Sequence, residues 1–91
     1  MSVINRESAI ALARERINQL AQAAGDEFEI LSDSTREIEG GWVFFFNTAD
    51  FVRTGSPTSA LAGNSPILVT HEGAIYELSS AIPWEDAVKQ I

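Results

Sequence analysis

The stretch GGWVFFFNTADF, residues 40 to 51, constrains this chain more than any other. Trp42, Val43, Phe44, Phe45 and Phe46 form an unbroken apolar run in a chain that is otherwise acidic and polar. Gly40 and Gly41 punctuate its start and Asn47 to Asp50 its end, so the run has the length of a strand. Successive strand side chains point to opposite faces, which places Trp42, Phe44 and Phe46 on one side and Val43 and Phe45 on the other. Both sides are apolar, so both need a cover.

A helix supplies the first cover. Asn5 is a capping residue followed by Glu7 in the first turn, and Ile10, Ala13, Ile17, Leu20, Ala21 and Ala24 recur at helical spacing. Gly25 stops the pattern. Arg6, Arg14, Glu15, Asn18 and Gln22 occupy the other face, which predicts an amphipathic helix of about five turns, roughly 30 Å long. The larger trio, Trp42, Phe44 and Phe46, is expected to meet it.

The rest of the chain reads as further strands and a closing helix. FEIL (residues 28 to 31) alternates apolar and acidic, and STREIE continues it in extended form as the outer part of the same hairpin. ILVT and AIYEL are two strands joined at HEGA, where Gly73 can take the positive φ of a tight turn. Residues 51 to 66, rich in Gly, Pro, Ser and Thr, predict a long connection with one helical turn at SALA. PWEDAVKQI reads as a short helix, with Pro83 near its first turn and Glu85 and Asp86 at its N-terminal end. The fold expected is α+β, one domain over residues 1 to 91: a long N-terminal helix packed on an antiparallel sheet of about four strands, then a short C-terminal helix. Val43 and Phe45 are to be covered by the 51 to 63 connection, the C-terminal segment with Trp84, a symmetry mate or a partner. A cover from the same chain, and so a monomer rather than a homodimer, is the simpler expectation.

Composition narrows the function classes. The absence of cysteine removes disulfides, thiolate metal sites and cysteine nucleophiles. The N-terminus has no signal-peptide pattern, and no segment approaches the roughly 18 apolar residues of a membrane span. Formal charge is −7. The excess is concentrated where Asp26, Glu27, Glu29, Asp33, Glu37 and Glu39 face Arg36 alone, six acids against one base, a local balance of −5. Such a field repels nucleic acid and anionic membranes and attracts basic partners, although a solvated edge has the same composition.

Convergent chemistry is sparse. His71, the sole histidine, sits beside Glu72 and Gly73 in a predicted turn and reads as a solvated residue rather than a general base. The carboxylates lack the Gly-centred spacing of a calcium loop, LAGNSP lacks the Lys of a phosphate loop, and Ser56, Ser59 and Ser65 have no histidine nearby in sequence. LAGNSP reads as a turn, with Gly63 or Asn64 at positive φ and Pro66 opening a strand edge. The chain is read as a non-enzyme without cofactor or metal.

GGWVFFFNTADFVRTG followed by LAGNSPILVTHEGAIYEL resembles the bacterial immunity protein 35 family, also described as the YrhB-type domain. The resemblance rests on Gly41, Trp42, Phe44, Phe46, Leu61, Ala62, Gly63, Asn64, Pro66, Ile67 and Gly73, two separated motifs at compatible spacing, and covers nearly the whole chain. It implies a small cytoplasmic protein that neutralises a cognate toxin of a polymorphic toxin system, with a chaperone-like role as the alternative. A small-molecule module, with a pocket under the helix lined by Trp42 and Phe44, is a further alternative. The shared residues have fold-level explanations and mark no toxin-binding surface. The surface expected from charge is Asp33, Glu37 and Glu39 against a basic toxin, with Arg36 pairing a single acid on it.

Overall fold

The computed structural model describes residues 3–61 and 65–91. The elements are α1 (Arg6–Ala24), β1 (Phe28–Ile30), β2 (Arg36–Ile38), β3 (Gly41–Phe44), β4 (Phe46–Thr48), α2 (Ala49–Thr54), β5 (Ile67–Thr70), β6 (Ile75–Glu77) and α3 (Trp84–Val88), with 3-10 turns at Ser32–Ser34 and Pro57–Ser59. The class is α+β as expected: a four-stranded antiparallel sheet in the order β2-β3-β5-β6 and a two-stranded β1-β4 ribbon.

One long hairpin with a defect organises these strands. Its outer part pairs Arg36 with Val43 and Ile38 with Gly41. Its inner part pairs Phe28 with Thr48 and Ile30 with Phe46. Residues 31–35 of the first limb therefore stand opposite residues 44–45 of the second, and the excess loops out through the 3-10 turn. The Leu31 N–H still donates to the Phe45 carbonyl at 2.8 Å, holding the limbs together across this bulge. STREIE thus does form the outer hairpin. The apolar run is not one strand, however, because the register change interrupts the ladder at Phe45.

The alternation survives the break. Trp42, Phe44 and Phe46 all enter one core with Ile67 and Val69, under Ala9, Ala13 and Ile17 of α1. The Asn5 side chain accepts from the Ser8 N–H at 2.8 Å, and Gly25 ends the helix in the left-handed conformation. Its buried stripe is Ala9, Ala13, Ile17 and Ala21, with Ile10 and Leu20 at the flanks and Ala24 exposed. Small residues on this stripe let the helix approach closely, so that the aromatic rings of the sheet fill the space between them. Phe44 is fully buried there and Trp42 nearly so, which fills with protein the space that the small-molecule alternative required under the helix.

The other side is covered by the chain itself. Val43 is fully buried with Leu68, Leu78 and Ala87, flanked by Ile82, Trp84 and Val88. Phe45 meets the Trp84 ring edge to face, centroids 6.2 Å apart. Among the described residues the cover comes from the C-terminal segment rather than from residues 51–61. That connection differs from expectation too, since α2 starts directly after β4 and a 3-10 turn follows at Pro57–Ser59, while the turn expected at SALA extends to Ala62, outside the described residues. Thr48 causes this: its hydroxyl accepts from the Phe51 N–H at 3.0 Å, capping α2, and donates to the Ser59 carbonyl at 2.8 Å. Asn47 Oδ1 accepts from the Leu61 N–H at 2.7 Å, so two polar side chains fold the connection back on β4.

Candidate partner-binding surface

The four residues expected at a partner surface, Asp33, Arg36, Glu37 and Glu39, are all exposed. Glu37 is turned away from Arg36. Asp33 sits in the bulge, Glu39 in the tight turn between β2 and β3, and Arg36 and Glu37 are neighbours on β2. Residues paired across a ladder share a face, so Arg36 lies on the Val43 side of the sheet and Glu37 on the Trp42 side. Strand alternation therefore divides the constellation between the α3 and α1 sides. The Arg36 guanidinium reaches the carbonyls of Thr35 and Asp33 only at 3.4 and 3.5 Å, the outer limit of hydrogen bonding.

The charge itself stays unneutralised. Among the described residues the ion pairs are Arg16–Glu77 at 2.9 Å and Arg53–Asp50 at 3.1 Å, and neither involves a carboxylate of residues 26 to 39. Asp50 also accepts a short hydrogen bond from the Ser59 hydroxyl. That bond, helped by Arg53, holds the Asp50 carboxyl below its ordinary value against the opposing effect of desolvation.

The residues of the two sequence motifs occupy other positions. Gly41, Trp42, Phe44 and Phe46 are buried. Pro66 precedes β5 and its carbonyl accepts from the Leu78 N–H at 2.8 Å, and Gly73 takes φ +91° in the turn between β5 and β6. Gly63 and Asn64 lie outside the described residues. His71 is half-buried rather than solvated: its ring makes a T-shaped contact with Trp42, centroids 4.8 Å apart, and its backbone N–H donates to the Gly40 carbonyl at 3.1 Å. It is a packing residue tying one turn to the other. Among the described residues no group of three or more His, Asp or Glu side chains is placed to hold a metal, and no helix is long and apolar enough to cross a membrane.

Two kinds of concavity open on the surface. A cleft of about 740 Å³ beside the C-terminal end of α1 is lined by Asn18, Gln22, Asp26, Glu27, Glu29 and Arg53, with Phe28, Ala21 and Ala49 among them. Three further open grooves lie around the bulge and α3. The first, about 540 Å³, runs between the bulge and α2, with Leu31, Asp33, Phe51 and Val52 in its walls. The second, about 270 Å³, is lined by Leu31, Ser34, Arg36, Phe45 and Trp84. The third, about 550 Å³ and mostly apolar, lies between Ile38 and Glu39 of the hairpin tip and Trp84, Glu85, Val88 and Lys89. Leu31 and Ser34 line both of the first two and Trp84 both of the last two, so neighbouring grooves share walls. Charge counting along the sequence misses this band, because Leu31, Phe45 and Trp84 are brought together only by the bulge and the folding back of α3. The available signal was Trp84, an aromatic in a short helix whose other face is charged.

The sequence model of the family described as Immunity protein 35 matches residues 7–90. The chain belongs to the immunity protein 35 family. Among curated proteins it is similar to "Uncharacterized protein YrhB" of Escherichia coli (strain K12), with 38% identity over 47 residues, 50% of this chain and 50% of that protein. The match thus spans half the length of that relative. No solved structure gives a significant match.

Proposed function

We propose that this chain is a cytoplasmic, non-enzymatic immunity protein that binds a cognate polymorphic toxin and blocks it by occupying its surface. The observation that carries the proposal is the family match over residues 7–90. The physical character of the chain supports it. An inhibitor needs a rigid, complementary surface rather than convergent catalytic groups, and the uncompensated carboxylates along the hairpin suit a basic toxin, such as one that acts on nucleic acid, through steering and charge pairing. The protein acts as a monomer in this reading, since Val43 is already covered by its own C-terminal segment.

Co-expression tests it directly. Cells producing the toxin domain encoded beside this chain's gene should survive when the chain is present, and the two purified proteins should elute as one complex. Loss of viability irrespective of the chain, together with separate elution, would remove the toxin-neutralising reading.

A further inference from the structure

The bulge converts an ordinary hairpin into a corner shared by the first two grooves, and Trp84 borders both the second and the third. Without the excess residues of 31–35, Leu31 would pair inside a regular ladder instead of standing between Val52 on one side and Phe45 and Trp84 on the other. The apolar residues of this band are held in place. Phe45 and Trp84 brace each other edge to face, and Ile38 and Val88 pack on the Val43 core while still lining the open third groove. A surface whose side chains are already ordered loses little entropy when something docks on it. Its composition, a tryptophan and an arginine amid aliphatic residues with carboxylates at the edge, is that of interface centres and their rims.

Resting on the toxin-binding reading above, we propose that this band, centred on Trp84, is where the partner docks, and that the partner is a basic protein. An apolar side chain of the partner sits against Trp84, its cations meet Asp33, Glu39 and Glu85, and one of its acids pairs with Arg36. Charge selects this occupant. The carboxylates on the rim outnumber Arg36 and Lys89, and the whole chain carries −7. A second copy would bring like rims together at that same net charge, which disfavours it. The cleft beside α1, where Asn18, Gln22 and four charged residues surround Phe28 and two alanines, is the more polar, contrasting site.

The test uses the full chain and the purified toxin domain encoded next to its gene. Hydrogen exchange in the complex is expected to slow in segments 31–38 and 82–89. Trp84→Lys should weaken binding roughly 30-fold or more. Val52→Lys, at a side chain 39% exposed and outside the core, should weaken it about tenfold without touching the fold. The double change Glu39→Gln and Glu85→Gln should lower the association rate about threefold at low salt and little at high salt. Gln22→Ala in the polar cleft should leave binding unchanged. A footprint on residues 18–29, with Val52→Lys and Trp84→Lys binding as tightly as the parent, overturns the proposal while leaving the toxin reading standing. Absence of any complex overturns both. A concentration-dependent dimer abolished by Val52→Lys gives the band to a second copy, and equal capture of an unfolded neutral polypeptide gives it to a chaperone-like role. Either result defeats the proposal.

Discussion

The pair Gly40 and Gly41 offers a sharp test, because the two are indistinguishable by residue type and opposite in structural consequence. A Cβ added to Gly41 would fall 2.1 Å from the Val69 carbonyl oxygen, 2.8 Å from the Thr70 Cα and 3.0 Å from the Val69 carbonyl carbon. Those atoms are backbone of β5 in the ladder that pairs Gly41 with Thr70, so no side-chain rotation relieves the overlap. Restoring an ordinary contact requires the strands to part by about 1 Å at this point. Trp42 and Val43 follow immediately and are buried in different cores, so the separation loosens both. Overpacking a core costs about 1–3 kcal/mol, occasionally more. The rigid obstruction and a φ of +157° place Gly41→Ala at or above about 3 kcal/mol, against a total stability of roughly 5–15 kcal/mol for a small domain. With a urea slope of about 1–3 kcal/mol per molar, the unfolding midpoint should fall by about 1 M or more. Gly40→Ala is the control. Its Cβ meets nothing within 4 Å, its φ is not positive, and the carbonyl that receives the His71 N–H is unaltered. That change should lie within about 0.5 kcal/mol of the parent or stabilise slightly by restricting the unfolded chain. Urea titrations followed by tryptophan fluorescence and by circular dichroism would show the difference. Equal midpoints for the two variants, or greater damage from Gly40→Ala, would refute the close approach of β3 to β5.

Other expectations follow from single contacts. Phe44 is fully buried between α1 and the sheet, so Phe44→Ala should cost about 3–5 kcal/mol; a thermal midpoint that does not move would contradict the packing. Thr48→Val keeps the shape but removes the cap of α2 and leaves the Phe51 N–H and Ser59 carbonyl without their partner. A loss of about 1–3 kcal/mol is expected by denaturation, and an unchanged midpoint would mean that the hydroxyl holds nothing. Because the folded-state pKa of Asp50 is lowered, its contribution is fully present above the ordinary value of 3.8 and is lost as pH falls below that value and through the folded-state pKa. Acidification should therefore loosen the contact between α2 and the Pro57–Ser59 turn, read as shifts of the Ser59 and Arg53 resonances, and Asp50→Asn should abolish that pH dependence.

Much of the architecture is legible along the chain because its signals are local. The Asn5 cap, the helical stripe through Ala13 and Ile17, the stop at Gly25, the turn at Gly73 and the division of Trp42, Phe44 and Phe46 from Val43 depend only on residue type and backbone period. Where local signals are weak, the reading goes astray. The start of α2 at Ala49 rests on a hydroxyl that finds both Phe51 and Ser59, and a glycine- and serine-rich composition conceals it. His71 looks solvated until the neighbouring strand places Trp42 against its ring.

The sequence by itself determined which side chains must be buried and that the hairpin would be acidic, since burial and net charge are properties of composition and period. Tertiary structure decided how those charges are shared out. A register change between β1-β4 and β2-β3 ejects residues 31–35 from the ladder, strand parity sends Arg36 and Glu37 to opposite faces, and α3 returns to lay Trp84 against Phe45. The need for glycine at position 41 and not at 40 was decided in the same way. It comes from the carbonyl of Val69, 28 positions away along the chain and within 2.1 Å of where a Cβ would stand, and no local pattern carries that distance.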